Sequence, residues 1–145
     1  MKHRILLADD HALFRNALRM SLEILPDMAI VGEARDGESV IETARQTRPD
    51  VVCLDITMPG PSCTETIQQL LATDPSLKII AMSAYGDLFL VARMVKAGAL
   101  AFVTKMDIAS QLPAAIQSVS QNRIYFSADL GISDVAELAP YAPTD

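Results

Sequence analysis

The sequence predicts an α/β domain built on a five-stranded parallel sheet with helices on both faces. Two observations carry this. Five short apolar runs alternate with five stretches of 3.6-residue apolar periodicity between residues 4 and 121. Four of the apolar runs are followed at once by a carboxylate, a hydroxyl or an amine. That is where open parallel sheets gather their functional groups.

Residues 4–8 form the first expected strand, with Ile5, Leu6, Leu7 and Ala8 leading to Asp9 and Asp10. In the helix that follows, Leu13, Ala17, Met20 and Ile24 fall at i, i+4, i+7 and i+11 and mark the expected inward side. Phe14, Leu18 and Leu25 widen that stripe, and Pro26-Asp27 ends the helix. Residues 28–34 give a weaker second strand, Asp36-Gly37 a turn, and residues 38–47 a short helix. The third strand, Val51-Val52-Cys53-Leu54, is apolar throughout, as burial on both faces requires. It ends on Asp55, and Pro59 stops the pattern.

Ser62 with Glu65 has the spacing of a capping box for the third helix. Residues 77–82 form the fourth strand, ending at Ser83. The fourth helix is terminated by Gly98. Residues 100–103 form the fifth strand, followed by Thr104-Lys105 and a fifth helix with Pro113 inside it. Residues 1–121 are thus read as one domain and residues 122–145 as a C-terminal extension of linker character. Within the extension, residues 124–126 are expected to pack on the domain edge. Residues 133–138 are expected to make a helical turn or two, broken by Pro140 and Pro143.

Composition narrows the function. A chain of 145 residues that is half apolar can bury a core without staples. The apolar run behind the basic N-terminus is too short for a signal peptide, and none approaches a membrane span. Cys53 and Cys63 lack metal-ligand spacing and are read as free thiols of a reducing cytoplasm. A net charge of −6 argues against this segment gripping nucleic acid directly.

In a parallel sheet, Asp9, Asp10, Asp55, Ser83 and Lys105 converge on one edge. Three carboxylates there would repel, and a hard divalent cation such as Mg²⁺ removes the conflict. With Lys105 as a point charge and Ser83 as a donor, the set suits a phosphoryl group received on Asp55. Each member alone has a plain structural reading: a helix cap, a turn hydroxyl, a surface lysine. His11 is read as a solvated first-turn residue with no role.

These residues resemble the receiver domain of two-component response regulators, over residues 2–121. The matching motifs are Leu6-Leu7-Ala8-Asp9-Asp10-His11, Leu54-Asp55-Ile56-Thr57-Met58-Pro59, Ala81-Met82-Ser83-Ala84 and Ala101-Phe102-Val103-Thr104-Lys105. The first stretch, with Leu13-Phe14-Arg15 and Leu18, is similar to the LuxR/NarL-type subfamily.

The resemblance implies a flavodoxin-like strand order, 2-1-3-4-5. It implies that Asp55 is the phosphoacceptor of a sensor histidine kinase. Asp10 and Asp55 would bind Mg²⁺ directly with the Thr57 backbone carbonyl, and Asp9 would act mainly through water. Ser83 and Lys105 would bind the phosphoryl group. Phe102 occupies the aromatic switch position, although its residue type alone reads as a core aromatic. The role is signalling rather than enzymatic. Output runs through the face of the fourth helix, fifth strand and fifth helix, often by homodimerisation. A helix-turn-helix domain regulating transcription normally follows, which makes residues 122–145 the expected start of a linker. A stand-alone receiver acting by protein contact is the alternative.

Two departures from the family pattern stand out. Cys63 occupies the usual glycine position eight residues after the phosphoacceptor, and Met106 replaces the usual proline after the lysine. An aspartate-nucleophile phosphatase would want a carboxylate where Thr57 stands. A flavodoxin-like nucleotide binder would want a glycine-rich loop after the first strand, which this sequence lacks.

Overall fold

The structure, a computed structural model, describes residues 2–143. Strands β1 (His3–Ala8), β2 (Met28–Ala34), β3 (Val51–Asp55), β4 (Lys78–Ser83) and β5 (Ala101–Thr104) alternate with five helices. These are α1 (Ala12–Glu23), α2 (Gly37–Thr47), α3 (Cys63–Thr73), α4 (Leu88–Ala97) and α5 (Ile108–Ser120). All strand pairs are parallel. The sheet order β2-β1-β3-β4-β5-β6 contains the expected 2-1-3-4-5 and adds β6 (Tyr125–Phe126) beside β5.

Side chains alternate across the sheet and divide the core in two. Leu6, Ala8, Val52, Leu54, Ile79, Ala81 and Phe102 face one side, covered by Val40 of α2, Ile67 and Leu70 of α3, and Val91 and Met94 of α4. Ile5, Leu7, Val51, Cys53, Ile80, Met82 and Val103 face the other, covered by Leu18 and Leu22 of α1 and Leu112, Ile116 and Val119 of α5. Burial on both faces is why β3 and β4 read as continuous apolar runs rather than alternating ones.

The inward side of α1 is only the widened part of the expected stripe. Leu18 and Leu22 are buried, with Phe14 and Leu25 packed against the same core. Leu13, Met20 and Ile24 are 87%, 65% and 81% exposed. The helix carries apolar residues in two stripes one residue out of phase, roughly 100° apart. Periodicity detects both stripes equally. Packing selects the one that Leu22 completes.

Two caps also differ from the sequence reading. Asp36, taken as a turn residue, caps α2: its Oδ1 accepts the Ser39 N–H at 2.7 Å, and Ser39 Oγ accepts the Asp36 N–H at 3.2 Å. At α3, Ser62 Oγ accepts the Glu65 N–H at 3.2 Å, so Ser62 caps the helix without the return bond of a full capping box. Gly98 ends α4 at φ +123°, a conformation open to glycine and strained for other residues. α5 runs through Pro113 because its buried face, Leu112, Ala115, Ile116 and Val119, continues past the proline.

The C-terminal segment folds back onto the domain. β6 extends the sheet, and a 3-10 helix, Val135–Tyr141, lies against α4 with Leu138 buried. Pro140, expected to break that turn, lies within it; the fixed φ of proline suits a 3-10 turn. Among the described residues no helix is long and apolar enough to cross a membrane.

The two stripes of α1 give a stability test. Leu22→Ala is expected to cost about 2–5 kcal/mol. Leu13→Ala is expected to stay within about 0.5 kcal/mol of the parent. Urea unfolding of the two variants checks the assignment, and a reversed ranking would contradict it.

Candidate functional site

The site sits where β1 and β3 end. These strands are neighbours, with Ala8 opposite Leu54, so the residues that follow, Asp9 and Asp55, are brought side by side by register. Both are buried. Each carboxylate commits one oxygen to its own loop. Asp9 Oδ1 accepts the His11 N–H at 2.8 Å. Asp55 Oδ1 accepts the Thr57 N–H at 3.0 Å and the Thr57 hydroxyl at 2.9 Å. The turns that end the strands therefore also orient the acids.

The two remaining oxygens share one cation. Lys105 Nζ donates to Asp9 Oδ2 at 2.7 Å and to Asp55 Oδ2 at 3.3 Å. Lys105 begins the 3-10 turn after β5, two strands away from Asp55, and its ammonium lies 4.4 Å from the centre of the Phe14 ring. Arg15 steadies the other side. Its guanidinium donates to the Asp9 carbonyl at 2.5 Å and to Glu33 at 2.9 Å. Two buried carboxylates thus stand against one ammonium, and local negative charge is left over.

Asp10 lies exposed on the rim. Between it and Asp9 sits His11, whose Nδ1 is 3.3 Å from Asp10 Oδ1 and 3.2 Å from Asp9 Oδ1. Ligand atoms of Asp9, Asp10, His11 and Asp55 all lie within 4.8 Å of one another. Carboxylate oxygens carrying excess negative charge suit a hard divalent cation, so this group of side chains can hold a metal. His11 is the solvated residue that the sequence suggests, its side chain 66% exposed. The signal of its part in the site is its place two residues after Asp9, where its backbone N–H closes the turn onto that carboxylate.

Ser83 ends β4 on the same edge, opposite Thr104 in register, and is buried; its Oγ accepts the Tyr85 N–H at 3.1 Å. Phe102 is fully buried in the core, opposite Phe126 of β6. Thr57 reaches the site through its N–H and hydroxyl. Cys63, at the usual glycine position, opens α3 beside Asp55. Burial first, and the Asp55 charge second, push its thiol up to about 12. Burial alone pushes Cys53 up to about 12.

The chain matches the model of the response regulator receiver domain over residues 5–117. It is 32% identical over 125 residues to the uncharacterized transcriptional regulatory protein YxjL of Bacillus subtilis, covering 86% of this chain and 57% of that protein. It is 32% identical over 126 residues to the response regulator UvrY of Escherichia coli K12, covering 87% and 58%. This chain therefore spans little more than half the length of these curated relatives. Among solved structures, a LuxR-family two-component response regulator from Aurantimonas superposes with a TM-score of 0.86 at 31% identity, over 94% of this chain and 97% of that one. The isolated receiver domain of RcsB from Salmonella enterica, at 22% identity and a TM-score of 0.82 over 90% and 97%, shares the fold.

Two outcomes follow from the charge arrangement. Lys105→Met leaves two buried carboxylates without their cation, and unfolding free energy is expected to fall by about 1.5–3 kcal/mol. Millimolar Mg²⁺ should recover more stability in this variant than in the parent; equal or smaller recovery would contradict the charge account. With thiols near 12, thiolate is a minor species at pH 8. Both cysteines should then resist iodoacetamide in the native protein and react after unfolding, and rapid native labelling of the half-buried Cys63 would contradict its raised pKa.

Proposed function

The chain belongs to the response regulator receiver domain family, and on that premise we propose that it receives a phosphoryl group on Asp55 and signals by it. Its relatives are of the LuxR/NarL type. The observation that carries the reading is the Lys105 ammonium shared by Asp9 and Asp55. It supports Asp55 as acceptor because it leaves the two Asp55 oxygens unequal. Oδ1 is held by two short bonds from Thr57, whereas Oδ2 has the longer contact to Lys105. Oδ2 is the oxygen assigned to attack.

In the transfer, Asp55 Oδ2 forms a bond to phosphorus as the bond from phosphorus to the donor nitrogen of a sensor kinase histidine breaks. The electron pair stays with that nitrogen, and no proton is needed from this chain. Lys105 turns its ammonium from the carboxylate to a phosphoryl oxygen, and Ser83 donates its hydroxyl to another. Asp10 and Asp55, with the Thr57 carbonyl and with Asp9 acting through water, would hold Mg²⁺. Bound there, the ion supplies positive charge beside the phosphoryl oxygens. His11 adds a group that faces both Asp9 and Asp10.

Residues 1–121 form the phosphoacceptor domain in this reading, and residues 122–145 lead toward an output segment. We assign that output to transcription, through a helix-turn-helix domain in a longer protein, and the setting to the cytoplasm. Relatives such as the transcriptional regulatory proteins YxjL and DegU support this class of output. Homodimerisation through α4, β5 and α5 requires that residues 125–141 move, because they lie across that face.

Incubation with acetyl phosphate and Mg²⁺ should add the mass of one phosphoryl group to the parent chain and none to Asp55→Asn. Equal uptake by Asp55→Asn would refute the assignment.

A further inference from the structure

The face between α4 and α5 is occupied by the chain itself. β6 pairs with the outer edge of β5, the Tyr125 N–H donating to the Leu100 carbonyl at 3.0 Å and the Ser127 N–H to the Phe102 carbonyl at 3.1 Å. Gln111 of α5 accepts the Tyr125 hydroxyl at 2.6 Å and the Ala128 N–H at 3.1 Å. On the α4 side, Leu138 is buried, and the rings of Phe89 and Tyr141 meet edge to face at 5.0 Å. Residues 125–141 therefore bridge both helices.

Three contacts tie this cover to the candidate site. Thr104, the residue before Lys105, is buried, and its hydroxyl donates to Asp129 Oδ2 at 2.5 Å. Its N–H donates to Ser127 Oγ at 3.1 Å. Gly86, three residues after Ser83, lies so close to Leu130 that an added Cβ would fall 2.6 Å from Leu130 Cδ2. The cover thus holds the residue next to Lys105 and the loop after Ser83 at once.

We propose that residues 125–141 are an intramolecular cover of the α4–β5–α5 face, latched by Asp129 on Thr104, and that phosphorylation of Asp55 loosens the latch. The second half rests on the reading of Asp55 given above. A phosphoryl group that draws Lys105 and Ser83 toward itself acts on the two segments the cover holds. Coupling of this kind is reciprocal: what favours the phosphorylated site disfavours the seated cover, and the reverse. A partner for this face, including a second copy of the chain, then competes with the chain's own C-terminal segment.

Hydrogen–deuterium exchange by mass spectrometry on the whole chain tests this. In Asp129→Ala, exchange over residues 125–141 is expected to rise about tenfold, the effect of losing one charge-assisted hydrogen bond. Exchange in β1 and β3 should stay as in the parent, which shows that the fold is intact. Unchanged exchange over residues 125–141 in this variant overturns the latch. In the parent treated with acetyl phosphate and Mg²⁺, the same segment should loosen. A sample that carries phosphate by intact mass and keeps its protection overturns the coupling. A sample that takes up no phosphate rejects the reading of Asp55 instead, and the Asp129→Ala result still decides the cover.

Discussion

Two aspartates that cannot avoid each other organise this molecule. β1 and β3 are adjacent and in register, so the residues that leave them, Asp9 and Asp55, are buried side by side. Two like charges at that spacing are tolerable only with a cation between them. Lys105 supplies it from beyond β5, which requires β3, β4 and β5 to hold their order and the turn after β5 to be tight. The loops at the strand ends then orient the acids, His11 through its N–H on Asp9 and Thr57 through N–H and hydroxyl on Asp55. The charge left over after Lys105 is what suits the site to a divalent cation.

Much of this is legible in the sequence. The strands are fully buried, so their composition marks them, and a parallel sheet forces their carboxyl ends together. That is enough to gather Asp9, Asp10, Asp55, Ser83 and Lys105 on one edge. What the chain order alone does not convey is which contacts are direct. Lys105 bridges Asp9 and Asp55, whereas Asp10 stands on the rim and meets the group through His11.

Where structure and sequence pattern part, the causes are physical. α1 has two apolar stripes, and only the shape of the sheet beneath it says which is covered. His11 is solvated, as the sequence suggests, with its side chain 66% exposed, yet its backbone N–H closes on Asp9 and its ring nitrogen lies near two carboxylates. Residues 125–126 pack on the domain edge as expected; the rest of the extension has the prolines and polar residues of a linker, yet Leu138 and Tyr141 find partners on α4. Propensity describes such a segment poorly because its order comes from tertiary contacts.

The site and the cover meet in β5. Phe102, Thr104 and Lys105 are consecutive or nearly so. They face, in turn, the core, the C-terminal segment and the two aspartates. Very few bonds therefore separate Asp55 from whatever lies against β5. The most direct measurement of the central claim is chemical. Borohydride reduction of the chain after acetyl phosphate treatment, followed by peptide mapping, should convert Asp55 alone to homoserine. Conversion at Asp9 or Asp10, or at no residue of a chain that carries phosphate, would contradict the account.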